Sequence, residues 1–427
     1  MNFQASVDTR PASVHRGLDV AAPNPSSKAR VGTAAYWRIS VALFLAGFST
    51  FSLLYCVQPL LPVLTREFHV SAAHSSLALS LSTGFLAISI LVAGALSETF
   101  GRRGMMFASM ILAAIFNVAA AQSSQWWMVL AMRAAEGLAL GGVPSIAMAY
   151  LAEEIQANGI GLGMGLYVAG TAFGGMVGRV GMSVLMGVMP WRSAMVAIGV
   201  VDIVIAVAFA FLLPTSRHFA RQSSVSARAH LALWHKHLRH PGLRATFIIG
   251  GLAMGIFVTV YNYAGFRLMA PPFGLSAAKV GLIFGAYLFG MVASPSAGML
   301  ADRLGRRPVL LAGHFTLALG LLLTLSDALI PVIAGITLIT IGFFAVHSVA
   351  SGWIGQLADG AKGHASALYL LVYYLGSSVL GSLGGVFWEA GQWPWVCAFA
   401  FGLLATSLYF TLRSLPGFAR EDCSMSV

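Results

Sequence analysis

The sequence predicts an all-α membrane protein with twelve transmembrane helices arranged as two pseudo-symmetric six-helix bundles. Three observations predict this fold class: an apolar composition, a motif that occurs once in each half, and basic residues concentrated in alternate loops. Of the 427 residues, 58% are hydrophobic and 9% are charged, and the mean hydropathy is +0.82. A soluble fold of this composition would expose large apolar patches, whereas lipid accepts apolar surface on every side of a helix.

About 20 apolar residues are needed to cross the roughly 30 Å of hydrocarbon in a bilayer. On that measure, six spans are predicted in the first half, at 38–63, 76–98, 105–122, 127–152, 160–186 and 192–213. Six more are predicted in the second half, at 245–270, 276–301, 308–326, 329–357, 364–388 and 394–413. The two bundles are therefore predicted to occupy residues 37–213 and 245–413.

One short motif is duplicated at an offset of 204 residues, after the second and the eighth predicted spans. The two copies are Gly94-Ala-Leu-Ser-Glu98-Thr-Phe-Gly101-Arg102-Arg103 and Gly298-Met-Leu-Ala-Asp302-Arg303-Leu-Gly305-Arg306-Arg307. Each copy follows one long apolar run and precedes another. This duplication predicts two related halves embedded in the membrane.

The positions of the basic residues predict the orientation of the chain. With both termini in the cytoplasm, 19 of the 25 Lys and Arg are cytoplasmic, Arg133 and Arg179 lie inside spans, and four are external. The external four are Arg66, Arg192, Arg267 and Lys279. Alternation of this kind follows the positive-inside rule, so we attribute the net charge of +11 to membrane topology and predict no nucleic-acid partner.

Three segments lie outside the predicted bundles. Residues 1–36 are polar and lack a signal-peptide apolar stretch, so they are predicted to be a disordered cytoplasmic tail, and residues 414–427 a second tail. Residues 214–244 form a basic cytoplasmic linker, in which Leu231, Trp234 and Leu238 share one helical face suited to the anionic inner leaflet.

The histidines and cysteines do not form a recognisable metal motif. His235, His237 and His240 in the linker have no carboxylate or thiol nearby in the sequence, and Cys56, Cys397 and Cys423 are scattered. A metal site in the linker is the alternative, but we predict no metal and no cofactor.

The twelve spans, the duplicated motif and the basic linker resemble the major facilitator superfamily, over about residues 38–413. Strings in the second half resemble its YnfM-type branch of bacterial inner-membrane transporters, namely Gly342-Phe-Phe, His347-Ser, Ser351-Gly-Trp353 and Tyr373-Tyr-Leu-Gly376. The resemblance implies a single-chain transporter of a small molecule, with membrane lipid and protons as its other partners. The branch is related to drug and sugar proton antiporters.

In this family the acidic residue of each motif faces the cytoplasmic start of a helix in the other half. The resemblance therefore implies that Glu98 faces predicted span eleven and that Asp302 faces predicted span five. Each contact with a helix dipole is worth about 0.3 to 2 kcal/mol and would hold the inner side shut. The Arg pairs are expected to meet lipid phosphates or helix ends. The alternative is that the motifs serve topology alone, and Glu98 and Thr99 depart from the usual Asp and Arg.

Predicted span four contains Arg133-Ala-Ala-Glu136-Gly137, which resembles an R-x-x-Q-G element associated with proton coupling. Glu136 lies about 14 Å from the start of its span at 1.5 Å per residue, where a carboxylate is costly unless it is paired or protonated. We predict that Glu136 carries the coupled proton. Arg179 and Asp202 lie at similar depth on consecutive spans, so Arg179 either pairs with Asp202 or serves Glu136. A purely structural ion pair is the alternative in each case.

Predicted span five is rich in glycine and resembles the antiporter motif of drug exporters, with Gly175 and Arg179 departing from it. Close helix packing is an equal explanation for Gly161, Gly170, Gly174 and Gly178.

The family architecture places predicted spans one, four, seven and ten around a central cavity. The implied contacts there, besides Arg133 and Glu136, are Tyr55, Gln58, Tyr261, Asn262, His347 and Trp353. Aromatic faces suit apolar or cationic substrates. The alternatives are that the aromatic residues anchor the protein at the membrane interface and that His347 is a packing residue.

Together these features predict a secondary active transporter, most consistent with proton-coupled efflux of a drug, sugar or similar compound. Proton-coupled uptake is the alternative within the family. An intramembrane enzyme or a non-transporting receptor is a distant alternative, because no nucleophile-elbow, zinc-protease or phosphate-loop motif occurs.

Overall fold

The structure is a computed structural model that describes residues 28–216, 227–358 and 361–414. Eleven helices in these ranges are long and apolar enough to cross a membrane, judged by length and composition. The last of them, Lys362–Arg413, has 52 residues and is interrupted by non-helical backbone at Gly391 and Gln392. At 1.5 Å per residue its length is about twice what one crossing needs, so it supplies two spans.

The twelve spans are labelled α1 to α12. The first bundle contains α1 (Ala34–Phe68), α2 (Ala72–Phe100), α3 (Arg102–Gln122), α4 (Trp126–Glu154), α5 (Ala157–Leu185) and α6 (Trp191–Leu212). The second contains α7 (Pro241–Met269), α8 (Ala277–Leu304), α9 (Arg306–Leu323), α10 (Leu329–Leu357), α11 (362–390) and α12 (393–413). The all-α fold class and the two six-helix halves are confirmed.

Extensive packing within each bundle joins helices that are not neighbours in the chain. In the first bundle α1 packs on α5, α2 on α4 and α3 on α6, and in the second α7 packs on α11 and α8 on α10. The halves meet along two seams, where α2 packs against α11 and α5 against α8. A central space is therefore enclosed between the halves.

Both copies of the duplicated motif form tight turns at one end of the bundles, which we call the motif end. Gly101 and Gly305 adopt φ of 86° and 84°, a region that favours glycine. After the turns, Arg103 donates to the carbonyl of Ala210 at the end of α6, and Arg307 Nη2 donates to that of Leu412 in α12 at 3.0 Å. The arginines thus cap helix ends at equivalent positions in the two halves. The opposite end is called the far end.

Glycines allow α5 to approach α1 closely. A Cβ added at Gly170, Gly174 or Gly178 would lie only 2.3, 2.1 and 2.5 Å from the carbonyl oxygens of Phe44, Phe48 and Ser52, respectively. These glycines are four residues apart, one helical turn, so they form a continuous stripe against α1.

The helix boundaries differ from the predictions at the start of each bundle. The predicted tail extended to residue 36, but α1 begins at Ala34, and Ala29 forms a parallel bridge with Ile155. Residues 1–27 and 415–427 of the predicted tails lie outside the described residues. The linker was predicted to end at residue 244, whereas α7 begins at Pro241, whose fixed φ suits the first turn of a helix.

Part of the linker is the helix Ala227–Arg239, called here the linker helix, and residues 217–226 lie outside the described part. Its Leu231 and Leu238 are exposed, but Trp234, the third residue of the predicted membrane-facing side, is half-buried against His364, with 6.4 Å between the ring centroids. His230 Nδ1 also lies 2.8 Å from His364 Nε2, at the start of α11. The linker helix is therefore attached to the second half.

Candidate functional site

A cavity of about 510 Å³ lies between the two halves. Its walls come from seven helices, α1, α4, α5, α7, α8, α10 and α11. The lining continues to Met148, Ile354 and Ser366, which lie near the motif ends of α4, α10 and α11. The cavity therefore extends towards the motif end.

Direct hydrogen bonds join the halves at the far end. Ser378 Oγ donates to the carbonyl of Ser80 at 2.6 Å, and Ser382 Oγ donates to Ser80 Oγ at 2.6 Å. At the tips of the same helices, the backbone N–H of Ala73 donates to Glu389 Oε1 at 2.9 Å. These contacts close α2 against α11, so the cavity is sealed on this side.

Arg179 lies at the side of the cavity nearest the far end. It belongs to a chain of hydrogen bonds that runs from the first half to the second. Its Nε donates to Gln58 Oε1 at 2.5 Å, and Gln58 Nε2 donates to Asn262 Oδ1 at 2.7 Å. Arg179 also donates from Nη1 to the carbonyl of Gly175 at 2.6 Å, and its guanidinium lies 3.8 Å from the ring centroid of Tyr55. The side chain is thus held in one position.

Arg133 and Glu136 form an ion pair on one face of α4, and both side chains have 0% exposure. Arg133 also donates from Nε to the carbonyl of Ala78 at 3.0 Å and from Nη2 to that of Leu54 at 2.8 Å. Glu136 receives a hydrogen bond from Arg133 on Oε2, while Oε1 has no partner among the described residues. The pair therefore joins α4 to α1 and α2 and leaves one carboxylate oxygen unsatisfied.

The predicted pairing of Arg179 is wrong in both of its forms. Asp202 is buried on α6 beside the hydroxyls of Ser49 and Ser52, and neither of its carboxylate oxygens has a hydrogen-bond partner among the described residues. Glu136 is held by Arg133. The physical reason is rotational: Arg179 projects from α5 towards the central cavity, whereas Asp202 projects from α6 into the interior of the first bundle.

The structure places some predicted cavity residues in the lining and others elsewhere. Tyr55 and His347 line the cavity, and His347 Nδ1 lies 2.9 Å from the Tyr369 hydroxyl. Trp353 does not line it, since it stacks against Arg306 near the motif end, with 5.3 Å between the guanidinium carbon and the ring centroid.

Five further predicted lining residues are buried outside the cavity wall. Arg133 and Glu136 lie behind the wall rather than in it. Tyr261 is buried, with its hydroxyl 2.7 Å from Thr340 Oγ1, and Asn262 is used in the closed far end. Gln58 contacts the cavity only through Arg179.

Most of the lining was missed by reasoning from sequence, because α5, α8 and α11 were not expected there. They contribute Tyr167, Thr171, Tyr287, Ser294, Ser366, Tyr369, Leu370, Tyr373 and Tyr374. The sequence did contain a usable signal for these helices. Tyr167, Tyr287, Tyr373 and Tyr374 lie deep within apolar runs rather than at the ends of the runs, where interfacial tyrosines are expected.

The motif residues have different partners in the two halves. Arg102 forms an ion pair with Glu153 at the end of α4, at 2.8 Å. Asp302 is exposed, and no hydrogen bond or ion pair involves it among the described residues. The side chains of residues 95–100, among them that of Glu98, lie outside the described part, as does the burial of Gly94. The proposed contacts of Glu98 and Asp302 therefore stay predictions.

No group of three or more His, Cys, Asp or Glu within the described ranges is placed to hold a metal ion. The chemistry of the site is therefore that of a cavity with one cation, many aromatic rings and a separate buried ion pair.

Twelve membrane-spanning helices in two related halves, with a cavity between them that is sealed at one end, define a membrane transporter. The model of the Major Facilitator Superfamily matches residues 43–269 and 252–421. The chain is 45% identical over 413 residues to the inner membrane transport protein YnfM of Escherichia coli (strain K12), covering 97% of this chain and 98% of that protein.

A second relative is YybF of Bacillus subtilis (strain 168), an uncharacterized transporter of the same superfamily, with 41% identity over 90% of this chain and 94% of that protein. Among solved structures, a bacterial homolog of the human lysosomal transporter Spinster matches with a TM-score of 0.70. That match has 12% identity and covers 89% of this chain and 95% of the other. The chain belongs to the major facilitator superfamily, and it is a multi-pass transporter rather than an enzyme.

Proposed function

We propose that this transporter exports a small molecule across the bacterial inner membrane in exchange for protons, by alternating access. The observation that carries the proposal is the buried Arg133–Glu136 pair, with one Glu136 oxygen unsatisfied. A buried carboxylate is stable only when it is paired or protonated, so its occupancy by a proton changes the energy of the surrounding helices.

The packing around this pair supports a coupling role. Arg133 bonds to backbone carbonyls of Leu54 and Ala78, and Leu54 immediately precedes Tyr55 in the cavity wall. Protonation of Glu136 would neutralise the carboxylate that pairs with Arg133. The ion pair between the two side chains would then weaken. The change would then pass along α1 to the cavity and to Gln58.

Alternating access is supported by the asymmetry of the contacts between the halves. The far end is sealed, whereas the lining reaches the motif end. The distribution of Lys and Arg favours cytoplasmic termini and hence a cytoplasmic motif end. The conformation is then inward-open, and Glu98 and Asp302 would close the motif end in the opposite conformation.

Export rather than uptake is favoured by the glycine-rich sequence of α5, which resembles the antiporter motif of drug exporters. Uptake coupled to protons would use the same cavity and the same Glu136. The two directions differ in whether an imposed gradient drives solute with or against the protons.

The experiment begins with a growth screen of cells with and without the gene against dyes, antibiotics, sugars and organic acids, which identifies the cargo. Purified protein is then reconstituted in sealed vesicles with an imposed pH gradient, and movement of the labelled cargo is followed. Exchange predicts that protons and cargo move in opposite directions.

Glu136→Gln should abolish accumulation driven by the pH gradient while preserving exchange of labelled for unlabelled cargo without a gradient. Glu67→Gln is the matched control, because Glu67 is exposed at the far end and, in the described part of the chain, pairs only with Arg192, at 3.2 Å. Full pH-driven accumulation by Glu136→Gln would exclude this residue from coupling.

A further inference from the structure

We propose that the cavity binds its cargo as an aromatic organic anion whose carboxylate is held by Arg179. This inference rests on the proposed function, since it takes the cavity between the halves to be the cargo site. It names the chemical class of the cargo.

The charge of the lining supports an anion. Among the described residues that line the cavity, Arg179 carries the single fixed charge, and neither aspartate nor glutamate is present. No carboxylate is paired with Arg179 among the described residues, since Glu136 is held by Arg133 and Asp202 lies beside Ser49 and Ser52. A buried guanidinium without a counter-ion is costly, so a bound anion is stabilised there.

The geometry of Arg179 suits a carboxylate. The hydrogen bonds to Gln58 and Gly175 use two of the five guanidinium N–H donors. Two rings pack against the guanidinium, since the ring centroids of Tyr55 and Tyr287 lie 3.8 and 4.7 Å from its carbon. A fixed guanidinium loses little freedom on binding, and its three remaining donors, one on Nη1 and two on Nη2, can meet the two oxygens of a carboxylate.

The remaining wall is aromatic and suits an aromatic body on the cargo. Phe257 and Phe343 stack with centroids 4.0 Å apart, and His347 lies 4.6 Å from Tyr373 between the centroids of their rings. These rings belong to the second half, whereas Arg179 belongs to the first. A molecule with a carboxylate at one end and rings at the other would therefore contact both halves.

The same arrangement disfavours cations. From the sequence, the aromatic residues predicted an apolar or cationic cargo, because ring faces attract cations. In the structure, however, the faces of Tyr55 and Tyr287 are already directed at Arg179. A second cation in the cavity would be repelled by Arg179 and would find no carboxylate in the described lining.

Three probes that share one ring system and differ in charge provide the test: 1-naphthoate, 1-naphthamide and 1-naphthylmethylammonium. Binding to the purified full-length protein is measured by isothermal titration calorimetry. The wild-type protein should bind the naphthoate about tenfold or more tightly than the neutral amide, the range of a charge-assisted hydrogen bond, and bind the ammonium most weakly. This comparison needs no variant.

Arg179→Gln should weaken binding of the naphthoate about tenfold and leave binding of the amide nearly unchanged. Arg179→Lys, which retains the charge, should restore part of the preference. Arg192→Gln is the matched control, because Arg192 bonds to the carbonyls of Ala121 and Ser123 at the far end and does not line the cavity.

Equal affinity for the three probes, tighter binding of the ammonium, or no binding of the naphthoate would overturn the assignment of an anion site. A failure of the proposed function looks different. Naphthoate would bind with the predicted dependence on Arg179, yet vesicles would show no movement of any solute coupled to the pH gradient.

Discussion

Replacing Gly174 by alanine tests the packing that positions the cavity wall. A Cβ at this position would lie 2.1 Å from the carbonyl oxygen of Phe48 and 2.5 Å from its Cα. Both atoms belong to the backbone of α1, so no side-chain rotation relieves the contact and the two helices must separate. Overpacking of this kind costs about 1 to 3 kcal/mol.

A matched control on the same helix isolates that cost. A Cβ at Gly165 meets nothing within 4 Å. Both substitutions exchange Gly for Ala within α5, so the gain in helix propensity of about 1 kcal/mol is common to them and cancels in their difference. Gly174→Ala should therefore be less stable than Gly165→Ala by about 1 to 3 kcal/mol.

The assay is thermal unfolding in detergent, followed with a thiol-reactive fluorescent dye in a Cys423→Ser background. Cys56 and Cys397 are buried, so they react only as the protein unfolds. For a bundle of about 200 residues, 1 kcal/mol corresponds to roughly 2 to 4 °C, so the two midpoints should differ by several degrees. Equal midpoints would refute the close contact of α1 and α5.

Three further predictions concern the two ends of the molecule and can be tested in the same vesicles. The hydroxyls of Ser80 and Ser382 lie 2.6 Å apart, so a disulfide in the double variant Ser80→Cys, Ser382→Cys should stop transport until a reductant is added. Undiminished transport by the oxidised protein would show that the far end need not open. Asp302→Lys should lower the transport rate without lowering the amount of protein in the membrane, and a normal rate would remove the latch from the mechanism. Trp353→Phe should leave cargo affinity unchanged, because Trp353 stacks on Arg306 outside the cavity, and a tenfold loss would contradict that placement.

Much of the architecture could be predicted because its causes are local. Apolar run length sets the number of spans, and the glycine turns at Gly101 and Gly305 recur because each must reverse the chain within a few residues. The height of Glu136 along its helix followed from the rise per residue, and Arg133, one turn away on the same helix, pairs with it.

The direction in which each side chain points could not be predicted in the same way. Spacing fixes height along a helix, but successive residues turn by 100°, so Arg179 and Asp202 at similar heights face different spaces. A membrane helix also gives no polar stripe to mark its buried side, because lipid and protein interior are both apolar. This is why α5, α8 and α11 were not predicted to line the cavity.

The glycines of α5 show how one pattern supports two explanations from sequence. Gly170 and Gly174 contact the backbone of α1, so close packing requires glycine at both positions. Gly161, by contrast, meets nothing within 4 Å and has no packing explanation in this conformation. The structure thus separates members of one motif that the sequence presents as equivalent.

The most direct test of the central claim, that two halves rock about one cavity, is the distance between spin labels at both ends of the molecule. One pair joins His74 to Glu389 at the far end, and the other joins Leu162 to Leu304 at the motif end; all four positions are exposed. Pulsed electron paramagnetic resonance at several pH values should show reciprocal changes, with the far-end distance lengthening as the motif-end distance shortens. Distances that stay fixed, or that lengthen together, would contradict alternating access.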